Sequence, residues 1–423
     1  MIICPIFQNF FLAKIVGKLG ESPIPIILIF STLFIYIYKI NKKFYKENKV
    51  LIKLLIYMIC VNIVSLFIFI IILNGDSIIL GENVLSKSIK GMMYFFLICI
   101  YIFNINTFIE KLTEKRIFKP FILATNVLLI AHIFELIQPN LFNQLFHNGT
   151  EYNRIRLFTT ESSFTAIMIF IYPIISIYYY LFKEKAKYKG IIYILIMIFF
   201  IANSGSKSIM INIPIAIVIL YLSFFIKKIL YKERGLNVVK VIVTVSIILI
   251  IIVLAMPKIN QLISYLNTDI NEYTSIITRY YTLLIAFIIS VKFPFGIGNS
   301  LYLKVFPYYL EKYIYLIDSG RYNLSEIYSF INATHDTMVT AKSGISQYGM
   351  YWGIIGNIVF IIYLYRIYIN IFKSDIAGKT VLLSLYLIVI IGIINFVAFD
   401  IAYEIFALIV LLQYLYRKSI KGK

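Results

Sequence analysis

The chain has 423 residues, of which 61% are hydrophobic, 17% aromatic and only 14% charged. Soluble domains run at about 45–50% apolar and about 25% charged. The composition therefore excludes a soluble enzyme, a nucleic-acid-binding domain and a disordered chain, and it makes the bilayer the solvent; the net charge of +20 then reads as membrane topology, with no nucleic acid as partner.

Residues 1–22 carry Ile2, Ile3, Ile6, Phe7, Phe10 and Phe11, followed by Lys14 and Lys18. That pattern predicts an interfacial amphipathic helix, with a twelfth span as the alternative. Crossing ~30 Å of hydrocarbon takes ~20 helical residues. Suitable apolar runs follow at 24–40, 51–73, 90–109, 120–137, 164–182, 190–204, 207–226, 238–256, 345–367, 379–398 and 400–416. The stretch 190–226 is too long for one crossing, and Asn203-Ser204-Gly205-Ser206-Lys207 breaks it into a helical hairpin. Backbone groups in lipid must pair within their own segment, so the spans are expected to be helical. The period-2 alternation of a membrane barrel is absent. The expected fold is an all-α polytopic membrane protein with about 11 (11–12) transmembrane helices, forming one integral membrane domain over residues 1–423.

Charge orients the chain. The short connections 39–53, 110–119, 183–189, 227–240, 366–379 and 417–423 hold 26 of the 40 Lys and Arg, so they are expected in the cytoplasm. The longer segments 138–163 and 257–344 then lie outside, as do the N-terminus and any chemistry. The apolar run 276–293 is expected to lie along the outer surface, which keeps both of its flanks outside. The cytoplasmic connections are too short for a nucleotide-binding domain, and no Walker motif, GxGxxG or DxD occurs. An outer-face transferase needs a donor that arrives already activated, such as a lipid diphosphate.

The first outer loop contains Arg154, Arg156 and Glu161 just ahead of a span, with Thr160 as expected N-cap. Two arginines one residue apart suit bidentate grip on phosphate oxygens; interfacial snorkelling and a helix-dipole role for Glu161 are the bland alternatives. The second outer loop carries Arg279, the turn Pro294-Phe295-Gly296-Ile297-Gly298, Arg321 and the pair His335-Asp336. A histidine beside a carboxylate can act as a base near neutral pH, or bind phosphate as a cation. Gly349, Gly353 and Gly356 follow, and their spacing points to close helix packing. His132 with Glu135, and Asp400 with Glu404, sit one turn apart in apolar runs. They suit either a proton relay or the border of an outer cavity. Cys4, Cys60 and Cys99 show no CxxC spacing, so neither a disulfide framework nor a metal site is expected.

The order of these features resembles the Wzy-type O-antigen polymerases and the related O-antigen ligases. The resemblance runs over residues 150–365. It rests on Arg154 and Arg156 before Glu161-Ser162-Ser163-Phe164, on Ser204-Gly205-Ser206-Lys207-Ser208, on Arg279 before Pro294-Phe295-Gly296-Ile297-Gly298, and on His335-Asp336 before a glycine-containing span. Asp336 stands where Asn is usual, Ser162 where Pro is common, and Lys207 where Arg is usual.

The resemblance implies a GT-C-like, all-helical glycosyltransferase with a long, partly helical periplasmic loop, at work on the periplasmic face of a bacterial inner membrane without metal or cofactor. A polymerase moves the growing glycan from undecaprenyl diphosphate onto the next lipid-linked repeat unit; a ligase delivers it to lipid A–core. Arg154, Arg156, Arg279 and Lys207 would hold the diphosphate, and His335, Glu161 or Asp336 would serve the chemistry. Implied partners are the undecaprenyl diphosphate-linked oligosaccharide, membrane lipids and a chain-length regulator protein. A lipid-linked oligosaccharide flippase is the alternative from a different class; its charged residues would line a central passage, whereas here they gather in the loops.

Overall fold

Isoleucine is the commonest partner in these apolar runs, and β-branched residues give up rotamer freedom in a helix. Helices form nonetheless, because a helix pairs every backbone group within its own segment. The computed structural model describes residues 1–9, 20–40, 44–72, 74–147, 149, 154–204, 213, 215–223, 275–317, 322–395 and 402–421. In chain order the helices are α1 (Ile24–Ile37), α2 (Lys49–Phe67, ending in a π-turn at Ile68–Ile72), α3 (Val84–Ile109), α4 (Glu114–Ile137) and α5 (Pro139–Phe146). There follow α6 (Ser162–Tyr178, with a π-turn at Tyr179–Lys183), α7 (Lys187–Asn203), α8 (Ser275–Lys292) and α9 (Gly298–Lys312). The last are α10 (Ser325–Ile331), α11 (Gly344–Lys373), α12 (Lys379–Asn395) and α13 (Tyr403–Lys421). Residues 215–223 are also helical. Among the described residues the only strands are β1 (Ile78–Ile79) and β2 (Glu82–Asn83), an antiparallel hairpin.

Among the described residues the fold is all-α, and five helices there are long and apolar enough to cross a membrane: Lys46–Ile72, Val84–Ile109, Glu114–Ile137, Ser162–Lys183 and Gly344–Lys373. Their surroundings differ. Of the apolar window in Ser162–Lys183, 83% is buried by protein, against 22% in Lys46–Ile72. So α6 is the central element, while α2 turns Ile56, Ile63, Val64 and Phe67 outward. Contiguous apolar surface of that kind is untenable in water and suits lipid. The expected span 238–256 lies outside the described residues.

Polar side chains clamp one end of the bundle. The Asn48 and Gln413 amides donate to each other's oxygens at 2.9 and 2.7 Å, and the Tyr363 hydroxyl donates to Asn48 Oδ1 at 2.8 Å. Glu114 pairs with Lys183 at 2.6 Å and with Lys418 at 2.7 Å, while Arg417 pairs with Glu47 at 2.7 Å. Glu47, Asn48, Glu114, Lys183, Arg417 and Lys418, all from connections expected on one side, thus meet there the ends of two expected spans at Tyr363 and Gln413.

The N-terminus departs from expectation. Instead of an amphipathic helix, residues 1–9 form a 3-10 turn at Cys4–Ile6 and tuck into the bundle, with Ile6 and Gln8 buried. The turn starts where Pro5 has no N–H to give. The segment is then held by Tyr172, whose hydroxyl donates to Ile2 O at 3.0 Å, and by the Gln8 N–H, which donates to Phe158 O at 3.0 Å. Residues 10–19 lie outside the described residues.

The run 276–293 is α8. It buries Tyr281, Ile285 and Ile289 and leaves Tyr280, Phe287 and Val291 exposed, as an amphipathic helix does. Between α8 and α9, Pro294 to Gly298 makes a turn with φ +96° at Gly296 and +76° at Gly298. Gly353 opposes it, a non-helical residue within α11 at φ +66°, ψ −172°. A β-carbon on Gly296 would lie 2.2 Å from Tyr351 O, and one on Gly353 would lie 2.3 Å from Pro294 O. Two backbones touch here, and only glycine permits it.

The turn's polar groups find partners among the helices. The Ile297 N–H donates to Met350 O at 2.9 Å, Ser65 Oγ to Ile297 O at 2.9 Å, and the Asn299 N–H to Asn62 Oδ1 at 2.8 Å. Asn62 and Ser65, polar residues in the apolar second half of α2, are explained by that service.

Candidate functional site

The candidate site residues within the described structure fall mainly into two clusters built on different elements. The first is the outer loop before α6. Glu135, on the last turn of α4, is buried; its carboxylate accepts the Arg156 N–H at 3.1 Å and the Leu157 N–H at 2.8 Å. Two successive N–H groups aimed at one carboxylate require a sharp turn, and Leu157 accordingly has φ +48°. The Thr159 and Thr165 hydroxyls donate to Arg156 O at 2.8 and 2.7 Å, tying the turn to α6. The N-cap position of α6 is Glu161, not Thr160 as the sequence suggested, and its carboxylate accepts from Ser163 Oγ at 3.2 Å.

This loop separates the two arginines. Arg154 is exposed, whereas Arg156 is buried with Nη2 donating to Asn143 Oδ1 at 3.2 Å. His147 is buried beside them, its Nδ1 2.9 Å from the Asn9 amide. Burial, and then the Arg156 charge, hold the His147 imidazole down to about 4, so at neutral pH it is uncharged. Glu161 is exposed at the mouth of α6.

The pairs read as relay or cavity border resolve differently. Glu135 serves the loop backbone, while His132, one turn earlier, is fully buried between Phe199 and Phe200, each ring centroid 5.1 Å away. Glu404 is buried too, and both its oxygens lie 3.3 Å from Gln8 Nε2. Asp400, Arg321 and Lys207 lie outside the described residues.

The second cluster surrounds His335. The segment after α10 runs against the 78–83 hairpin, where the Asp336 N–H donates to Leu80 O at 3.2 Å. Lys87, on the first turn of α3, pairs with Asp336 Oδ2 at 2.6 Å. His335 is exposed, and its Nδ1 would lie 3.9 Å from a β-carbon placed on Gly81, which has φ +75°. Further along, Lys342 pairs with Glu326 at 2.8 Å, and the Tyr302 hydroxyl donates to Val339 O. The segment from His335 to Lys342 is therefore held at Asp336, Val339 and Lys342.

Beside it opens a cavity of about 230 Å³ between the hairpin and α9. Phe69, Ile79, Leu80, Leu303 and Pro307 form its apolar walls, and Asp76 and Lys304 are the charged groups that border it. Lys304 Nζ stands 5.2 Å from the Phe69 ring centroid. Arg279 is half-buried on α8, with Thr282 Oγ1 donating to its carbonyl at 3.1 Å.

Sequence reasoning missed Asp76, Lys87 and Lys304. For the first two a signal was there: Asn74-Gly75-Asp76 and Gly81-Glu82-Asn83 bracket the short apolar run Ile78-Ile79-Leu80, which is hairpin punctuation between two spans. Asn83 caps α3, its side chain accepting from Leu85 N and Ser86 N. No protein-family model, no curated protein and no solved structure matches the chain.

Proposed function

We propose that the chain is a polytopic bacterial inner-membrane glycosyltransferase, an O-antigen polymerase that transfers a growing glycan from undecaprenyl diphosphate onto the next lipid-linked repeat unit at the periplasmic face. The observation that carries this reading is the His335 cluster: an exposed imidazole, a carboxylate held by Lys87, and a cavity of about 230 Å³ bordered by the same hairpin. The sharing of Glu114 by Lys183 and Lys418 supports placing those segments together on the cytoplasmic side, opposite His335.

In this mechanism the acceptor hydroxyl oxygen forms a bond to the donor's anomeric carbon. The bond from that carbon to the diphosphate breaks, the electron pair leaves with undecaprenyl diphosphate, and the hydroxyl proton passes to His335. Asp336, paired with Lys87, is engaged as an anion, which leaves the imidazole as the better base. Arg154 is the exposed arginine of its loop and grips the diphosphate together with Arg279 and Lys207. Arg156, donating to Asn143, sets the loop on which Arg154 stands. Cations at the leaving group stabilise charge as it develops.

The test is polymer formation from purified lipid-linked repeat units. His335→Ala should lower the rate by about 10²–10⁴-fold, the usual loss of a general base, with insertion and stability unchanged; near-normal turnover would remove His335 from the chemistry. Gene deletion separates polymerase from ligase. The former loss leaves core plus one repeat unit on a lipopolysaccharide gel, and the latter leaves bare core.

A further inference from the structure

The cavity between the hairpin and α9 has walls that point to a particular kind of occupant. Most of its lining is aliphatic, with Leu303 only 3% exposed. The two charged groups on its border have opposite sign and stand on different elements, Asp76 ahead of β1 and Lys304 on α9. A prenyl or acyl chain in this space would lie between both charges and bond neither, leaving the polar part of the lining unused. A phosphate would be attracted by Lys304 and repelled by Asp76. A sugar ring meets each demand: its C–H face packs on aliphatic walls, a carboxylate accepts from its hydroxyls, and an ammonium donates to its oxygens. The cavity is also smaller than the ~300–1,000 Å³ of sites for drug-sized ligands, which suits one ring and not an extended chain.

We propose that this cavity seats a single sugar ring of the acceptor, read by Asp76 and Lys304. The proposal rests on the glycosyltransferase reading and names where its acceptor binds. Position supports the acceptor over the donor. Leu80 lines the cavity and gives its carbonyl to Asp336, and the next residue, Gly81, lies against His335. A ring lodged here therefore sits next to the imidazole that takes the acceptor's proton. Lys304 is steadied for its task by the face of Phe69.

The experiment uses the full chain in lipid nanodiscs, with the methyl glycosides of glucose, galactose, mannose and N-acetylglucosamine as probes and saturation-transfer NMR as readout. At least one glycoside should bind. Leu303→Trp, which fills the space, should abolish the signal, and Asp76→Asn and Lys304→Met should each weaken binding about tenfold, the loss of one charged hydrogen bond of about 1.4 kcal/mol. Asp76 and Lys304 are exposed, so those two variants keep the test valid if Leu303→Trp does not fold. Binding by no glycoside, or binding indifferent to both surface variants, overturns the subsite. In the polymer assay, Asp76→Asn should raise the acceptor KM and spare kcat. Polymerisation with an unchanged acceptor KM in both surface variants sinks the subsite and leaves the transferase reading intact. Glycoside binding that depends on Asp76 and Lys304, in a protein that makes no polymer from lipid-linked repeat units, upholds the subsite and sinks the polymerase.

Discussion

Removing the Glu135 carboxylate should release the outer loop without unfolding the helix that carries it. The carboxylate is the acceptor for the N–H groups of Arg156 and Leu157, at 3.1 and 2.8 Å, and the side chain is 4% exposed. Leaving a buried N–H unsatisfied costs about 1–3 kcal/mol, so Glu135→Ala should cost the closed loop about 2–6 kcal/mol. Leu157 adds to the tendency to open, since a left-handed non-glycine conformation carries roughly 1–2 kcal/mol of strain. Glu135→Gln keeps one carbonyl acceptor and should cost about half as much.

Hydrogen exchange with mass-spectrometric readout measures this directly. At about 1.4 kcal/mol per decade, the peptide covering 154–161 should exchange at least about thirtyfold faster in Glu135→Ala, with a smaller change in Glu135→Gln. Peptides from the His335 segment and from α6 beyond Thr165 should be unaffected, since Thr165 is where α6 is tied to the loop. Wild-type protection of residues 156 and 157 in the alanine variant would refute the carboxylate clamp. If the clamp holds and Arg154 serves the donor, polymer formation should fall with the loss of protection.

Gly353→Ala should destabilise the protein by at least about 2 kcal/mol, through a positive φ and a β-carbon 2.3 Å from Pro294 O; an unchanged melting temperature in nanodiscs would count against the backbone contact. His132→Phe should be neutral or stabilising by about 1 kcal/mol, since neither ring nitrogen has a hydrogen-bond partner among the described residues and two phenyl rings flank the site; clear destabilisation in the same assay would point to an unseen partner. His147 is held down to about 4 from its ordinary 6.5, so the unfolded chain takes up its proton first. Its contribution should be complete above pH 6.5 and lost as pH falls toward 4, and His147→Gln should flatten that part of the stability profile.

How much of this was legible in the sequence follows from the range of each signal. Apolar runs report on solvent, a property of every residue in the run, so each expected span within the described residues coincides with helix. The spacing of Gly349, Gly353 and Gly356 pointed to close helix packing; Gly353 meets the Pro294–Gly298 turn instead, and β-carbons on Gly349 and Gly356 would meet Asn357 and Trp352 of their own helix. What sequence could not supply was pairing across distance. Arg154 and Arg156 look equivalent in the chain; they differ because Glu135 and Asn143, on α4 and α5, capture the second. Residues 1–9 carry an amphipathic pattern, but Gln8 and Asn9 find Glu404 and His147 and draw the segment inward. Lys87 gives no local hint that its partner lies 249 positions away.

The turn at Pro294–Gly298 acts on the site from a distance. Its glycines are accounted for by backbone contacts to Tyr351 and Trp352 and by the Ser65 and Asn62 side chains against Gly298. With its N–H already given to Met350 O, Ile297 has none to offer a phosphate. The turn fixes where α9 begins: Asn299 bonds to Asn62, and Ser88 Oγ donates to Ser300 Oγ at 3.1 Å. From that anchor, Leu303, Lys304 and Pro307 fall one and two turns further on, where they form a wall of the cavity beside His335. Ser88 also follows Lys87, the residue that holds Asp336. One packing joint thus sets the register of both sides of the site: the α9 wall through the glycine turn, and the Asp336 segment through the first turn of α3. Movement at this joint would shift the cavity wall and the Lys87–Asp336 pair together, so a glycine far from the chemistry can carry a requirement that looks catalytic.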